Sequence, residues 1–162
     1  MKFHLDQHFD GDVDDVVALY CDPAFYEALT GLTKVATPEA IRCERTDGQV
    51  VLELAYRFIA PLPGAVTAVV EPAKLTWREI TTFDLVSRSS ATRFVPDHYA
   101  DRLHSDIACR YIETDSGTTR LIDGELKVRM LLVGGQVERA IVSGISEHLA
   151  EESVQAAARL AH

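Results

Sequence analysis

Glu79 is the residue whose surroundings most suggest chemistry. It falls between Trp77 and Thr81 in an alternating run, Leu75, Trp77, Glu79, Thr81, Phe83, Leu85, whose other members are mostly apolar. A carboxyl group on the inward face of a strand costs ~a few kcal/mol unless it is partnered or neutral. Enclosed in a pocket, it would hold its proton to unusually high pH and could act as a general acid or base. The competing reading is a bulge or register slip that turns it to solvent. His148 is the second candidate. It follows Ile141, Gly144 and Ile145 and precedes Leu149, at the edge of a helix's inner face. An imidazole there could bind a ligand hydroxyl or shuttle a proton, and a boundary histidine satisfied by its neighbours is the alternative. Tyr56, Tyr111 and Thr81 also belong to inward phases and need partners or a wet cavity.

Other chemistries find less support. His4, Asp6 and His8 share one strand face and could chelate a metal. Phe3 and Leu5 claim the core side of that strand, so a solvated face is the better reading and no metal is expected. Cys21, Cys43 and Cys109 are odd in number, lack Cys-x-x-Cys spacing and have no adjacent activating base. They read as reduced, buried, inert thiols of a cytoplasmic protein. His98 and His104 have no nameable partner. The glycine-rich nucleotide signatures, the nucleophile elbow and the zinc-protease helix are all missing, so no cofactor is expected.

The elements that must position these residues follow from periodicity. Lys2 to Phe9 alternates as a strand, and Asp10-Gly11 turns the chain. Asp12 caps a first short helix with Val13, Val16, Val17 and Tyr20 on one face. Asp22-Pro23 starts a second, carrying Phe25, Tyr26 and Leu29, with Gly31 placed to end it. The period then becomes two. Strands are expected near 34–46, 49–59, 73–87, 89–95, 103–114 and 118–131. Asp47-Gly48 and Ser116-Gly117 mark hairpins, and Pro61 to Gly64 marks a loop. The run Val66 to Val70 fits a short strand or a helical turn. Pro96 to Asp101 is irregular. From Gly134-Gly135 a long amphipathic helix runs almost to His162, with Val137, Ile141, Ile145 and Leu149 recurring every fourth residue. Gly144 and Ala140 beside that stripe allow close approach or room for a ligand. Glu138 is expected in the first turn, facing the helix dipole.

The order is strand, two short helices, about six further strands, long helix. Antiparallel hairpins with helices on one face give an α+β fold, expected as one domain over 1–162. A sheet followed by a single long helix packs economically when the sheet curls around the helix. The inward phases then propose ligand contacts: Tyr56 and Phe58 on one strand, Trp77, Glu79 and Phe83 on the next, and Tyr111 on a later one. Ile141, Ile145 and His148 face them from the helix. A net charge of −9 disfavours nucleic acid. No apolar run approaches the ~18 residues of a membrane span, so stable membrane insertion is not expected.

The order and these residues together resemble the START-like (SRPBCC, helix-grip or pollen-allergen) superfamily over essentially the whole chain. The most specific piece is Gly124 to Glu138 followed by the long helix. It is similar to an uncharacterised bacterial branch that opens its last helix with Val-x-Val-Pro-Leu-Val-Gly-Gly-x-Val-Glu. This chain has Met130-Leu131 where that branch has a proline-bearing turn. The resemblance implies a helix-grip fold, a curved antiparallel sheet of about six or seven strands around the C-terminal helix. It also implies a hydrophobic cavity between sheet and helix, and no universal catalytic residue. Three functions are compatible with it. One is a cytoplasmic carrier for an apolar small molecule (lipid, acyl or polyketide-like). Another is a cyclase- or dehydratase-type enzyme with Glu79 and His148 as candidate catalytic groups. The third is an interaction module with a filled core. A homodimer through edge strands is compatible with all of them.

Overall fold

A computed structural model describes residues 1–68 and 70–162, with Ala65 described by its backbone alone. The alternating N-terminal run is strand β1 (Lys2–Phe9), followed by helices α1 (Val13–Tyr20) and α2 (Pro23–Glu27). The side chains of Asp12 and Asp22 accept from the Asp14 and Ala24 amides (2.8 and 3.0 Å), so both caps work as their spacing suggested. Next come β2 (Glu39–Thr46), β3 (Gln49–Arg57), the short helix α3 (Gly64–Thr67) and a 3₁₀ turn (Pro72–Lys74). Strands β4 (Thr76–Asp84), β5 (Ser89–Pro96), β6 (Leu103–Thr114) and β7 (Gly117–Val128) lead into the long helix α4 (Gly134–Leu160).

The seven strands form one antiparallel sheet in the order β1-β7-β6-β5-β4-β3-β2. Chain-adjacent strands pair as hairpins, and β1 closes on β7. The long helix packs against β7 and β1 on the face that also carries α1. This is the helix-grip arrangement of a sheet folded around its C-terminal helix.

Several expected boundaries move, each for a local reason. The 34–46 run becomes strand only at Glu39, because Pro38 has no amide to donate; before it, Val35 makes one bridge to Phe58. The 73–87 run loses both ends. Pro72 opens a 3₁₀ turn, and the Asp84 carboxylate accepts from the Val86 and Ser87 amides, turning the chain and leaving Leu85 exposed. The last strand stops at Val128, so Met130 and Leu131 lie in the connection to α4. Helix α2 is capped at Ala28, and Gly31 (φ +65) serves the loop beyond it. The 66–70 run starts as helix, since α3 reaches Thr67; Val69 lies outside the described residues. Glu138 lies beyond the first turn of α4. It accepts from the Val128 amide (2.9 Å) and pairs with the N-terminal ammonium (3.3 Å), contacts that hold its carboxyl below the usual range.

In the β6–β7 hairpin the loop residues are Asp115 and Ser116, with Gly117 already paired to Thr114. Gly117 has φ +127, and a Cβ there would lie 2.2 Å from the Phe9 carbonyl oxygen. Only glycine fits both demands. Gly117→Ala should therefore cost about 2–3 kcal/mol, read as a lower urea midpoint at unchanged m.

Apolar burial falls into two clusters. The larger joins Phe9, Val13, Val16, Tyr20, Phe25 and Leu29 to the inner residues of the sheet and to Ala156 near the end of α4. The smaller gathers Val66, Val70 and Val137 with flanking Leu62, Tyr99 and Met130. The residues of α4 that are fully buried lie toward its ends: Gly134 and Val137 on one side, Glu152 and Ala156 on the other. Between them Ile141, Ile145 and Leu149 point inward yet are only half-buried.

Candidate functional site

The middle of α4 is half-buried because it borders a cavity of about 380 Å³ that separates the two clusters. Tyr56, Trp77, Glu79, Thr81 and Phe94 line the sheet side. Ile141, Gly144, Ile145 and His148 line the helix side. Exposed Pro61, Pro63, His98 and Arg102 stand at its rim, on the segments before α3 and after β5. A Lys34–Glu147 ion pair (2.8 Å) ties the loop before β2 to α4 at another part of the rim.

The sheet wall is aromatic. Tyr56 and Trp77 are cross-strand partners whose rings stack 5.5 Å apart at 7°. Trp77 reaches Phe94 (6.2 Å), and His148 meets the Tyr56 ring edge-on at 5.7 Å. The register from Gln49↔Asp84 to Arg57↔Thr76 is unbroken, so no bulge turns Glu79 outward. Its carboxyl has no hydrogen-bond or ion-pair partner among the described residues. By area the side chain is half-buried, because it faces the cavity rather than packed atoms. Burial, reinforced by Glu152 and opposed by Arg120, pushes its pKa up to about 8. At neutral pH Glu79 is thus mainly a carboxylic acid that can donate a proton or a hydrogen bond. Burial also raises the Tyr56 phenol well above its ordinary range, with Glu79 adding to the effect.

Behind Glu79 lies a charged cluster. Arg120 Nη1 donates to Glu152 Oε1 (3.0 Å) and to Gln7 Oε1 (3.1 Å), and the guanidinium lies 4.0 Å over the Tyr20 ring. Both members of the ion pair are buried. His148 Nε2 stands 3.7 Å from Glu152 Oε2, one helical turn away, and its Nδ1 is buried without a partner.

Of the residues singled out from sequence, Tyr56, Phe58, Trp77, Glu79, Phe83, Ile141, Ile145 and His148 border the one cavity. Tyr111 does not. It is buried beside Tyr20 (6.1 Å) and Arg120 (5.9 Å), in the larger core. His98, left without a partner in the sequence, reaches the rim. Cys21 and Cys109 are buried as expected, but Cys43 is exposed, because β2 is an edge strand. His4 contacts Asp123 (2.8 Å) and Asp6 (2.7 Å) on the outer face, and the Asp123 hydrogen bond raises its pKa. Among the described residues, no group of three or more His, Cys, Asp or Glu could hold a metal ion.

Sequence reasoning missed Arg120, Glu152 and Gln7. The signal was present. Arg120 is in phase with Ile122 and Leu126, Gln7 with Phe3 and Leu5, and Glu152 lies four residues after His148 on the same helix face.

The family described as "Protein of unknown function (DUF2505)" matches residues 4–160. The chain belongs to the DUF2505 family. Solved structures similar to this DUF2505 chain share its fold at low identity. TTHA0849 from Thermus thermophilus is 13% identical at TM-score 0.67, covering 99% of this chain and 97% of that one. The Zhui aromatase/cyclase from Streptomyces sp. R1128 is 15% identical at TM-score 0.62, with 96% and 94% covered. Norcoclaurine synthase from Thalictrum flavum is 19% identical at TM-score 0.67, with 100% and 87% covered. These likenesses show the helix-grip fold for the DUF2505 chain. No curated protein matches it. Among the described residues, no helix is long and apolar enough to cross a membrane.

Proposed function

We propose that this protein is a cytoplasmic binding or carrier protein for an apolar small molecule, of lipid, acyl or polyketide-like character, held between the sheet and α4. The observation that carries the reading is the middle of α4. A helix whose inward stripe is packed toward its ends and half-buried between them borders space, and that space has the size and aromatic lining of a small-molecule site (about 300–1,000 Å³). This supports a carrier over an interaction module with a filled core. The three free cysteines support a reducing compartment. The outer edges of β1 and β2 leave strand pairing available for a homodimer.

Trp77, the chain's sole tryptophan, lines the cavity and supplies the test. N-phenyl-1-naphthylamine, an uncharged fluorescent probe, should bind at 1:1 with quenching of Trp77. Gly144→Leu should abolish that binding, because a Cβ at Gly144 meets nothing within 4 Å and a longer side chain would enter the cavity. The same change replaces a mid-helix glycine and should stabilise the protein by about 0.5–1 kcal/mol. Absence of probe binding, or unchanged binding by Gly144→Leu, would refute the carrier reading.

A second reading, a cyclase- or dehydratase-type enzyme, is favoured by one observation. Glu79 is an unpartnered carboxylic acid facing the cavity, the disposition of a general acid or base. The similar fold of the Zhui aromatase/cyclase from Streptomyces is compatible with that chemistry. Turnover lost in Glu79→Gln with binding retained would separate it from the carrier.

A further inference from the structure

We infer that the cavity selects ligands whose polar end is an uncharged oxygen, a carbonyl or hydroxyl, and rejects carboxylates and phosphates on the same apolar body. The inference rests on the carrier reading and names its ligand class.

An acidic headgroup at the inner end would need a free cation, and Arg120, the arginine that lines it, is already paired. Arg120 Nη1 donates to both Glu152 and Gln7, and Tyr20 covers the guanidinium face at 4.0 Å. Its Nε is buried without a partner, closed off from the cavity surface. At the rim, Lys34 is paired with Glu147 (2.8 Å) and Lys74 with Glu71 (3.1 Å), while Arg102, beside the Tyr99 ring (5.7 Å), is exposed to solvent at the mouth and not at the inner end. A ligand anion at the inner end would instead lie beside the Glu79 carboxyl and the already paired Glu152. It would lose its hydration with no unpaired cation in return.

An uncharged oxygen fits the same place. The Glu79 carboxyl faces the cavity and no side chain engages it, and in its protonated form it offers a donor to a carbonyl or hydroxyl oxygen. The titratable groups around it are Tyr56 from β3, Tyr26 from α2, Arg120 from β7, and His148 and Glu152 from α4. The Arg120–Glu152 pair is neutral as a unit, and the phenols hold their protons. The inner end therefore presents the Glu79 carboxyl as a donor beside a charge-compensated ion pair. Burial holds Glu79 in that donor form up to about pH 8. Toward the rim the walls become apolar, with Leu62, Val66, Tyr99 and Val137 receiving the body of the ligand.

The test is competition against N-phenyl-1-naphthylamine at pH 6.5 by four compounds of one body: 2-acetonaphthone, 2-naphthoate, 2-naphthylmethylamine and naphthalene. 2-Acetonaphthone and 2-naphthoate are nearly the same shape. The ketone should displace the probe at about tenfold lower concentration than the carboxylate, and several-fold lower than naphthalene, the effect of one hydrogen bond. Its affinity should fall as pH rises through about 8, where ionisation removes the donor. Glu79→Gln, which keeps an N–H donor, should retain the ketone preference without the pH dependence. Glu79→Leu should level ketone and naphthalene. Equal or tighter binding of 2-naphthoate overturns the inference, as does tighter binding of the amine, which would show Glu79 acting as a counter-ion. Equal binding of naphthalene and the ketone, or failure of the ketone to displace a bound probe, overturns it too. Failure of the probe itself to bind is the separate result that removes the carrier reading beneath it.

Discussion

Arg120→Met should destabilise the protein by about 3–5 kcal/mol, the largest loss expected of any single substitution at the site. The arginine is buried, and its removal strands the Glu152 carboxylate 3% exposed in the core, with the His148 Nε2 atom 3.7 Å away. Removing one member of a buried pair costs more than the pair is worth, because the remaining charge keeps its desolvation penalty and loses its compensation. The loss extends to Gln7, whose amide oxygen accepts from the same Nη1, and to Tyr20, whose ring face loses the guanidinium. The double variant Arg120→Met/Glu152→Leu should recover most of the stability, since an apolar replacement of both partners leaves no charge behind. Urea titration of the two singles and the double gives the coupling directly. A double variant no more stable than Arg120→Met would show that the arginine acts through packing alone.

Glu79→Gln should stabilise the protein at alkaline pH and leave it little changed in acid. The sign follows from proton counting. Glu79 moves from its ordinary 4.5 up to about 8 on folding, so between those values the folded state holds a proton that the unfolded chain has released. Unfolding then becomes easier as pH rises, by at most about 1.4 kcal/mol per pH unit from this group. The contribution is fully present below pH 4.5 and lost by the time pH passes about 8. Water admitted to the cavity lowers the total to about 2–4 kcal/mol. Glutamine keeps the shape and carries no charge, so the variant's stability curve should be flatter across pH 5–8 and lie above the native one at about pH 8.5. Parallel curves for the two proteins would mean that Glu79 ionises in the fold as freely as in water.

Much of the architecture was legible because burial imposes its own period on the chain. The fourfold stripe of α4, the alternation of β3 and β6, and the Asp47-Gly48 hairpin are local signals with local causes. Glu79 was legible for the same reason, since an acidic residue in an apolar phase is conspicuous. The boundaries that moved were set by residues acting on neighbours, such as Pro38 and Pro72 withholding an amide and Asp84 folding back on the chain. The Arg120–Glu152 pair was a different matter. Each residue is a charge set within an inward phase, Arg120 beside Ile122 and Leu126 and Glu152 beside Ala156, where a local reading expects an outward side chain. Their compatibility with burial depends on a meeting across 32 positions of sequence. Tyr111 erred in the opposite sense. Its phase was inward, but inward at that end of β6 means the core beneath α1, not the cavity.

The division of packing along α4 bears on how a family with this fold could diversify. Residues toward the helix ends answer to the two apolar clusters, and changes there are felt by the whole structure. Gly144 and Ile145 answer to a space, and can change in size or polarity while both clusters keep their contacts. Specificity is thereby separated from foldability along a single helix. Natural variation could redraw the shape of the cavity in small substitutions without passing through unfolded intermediates. For protein engineering the same stretch is the place to graft a new recognition surface.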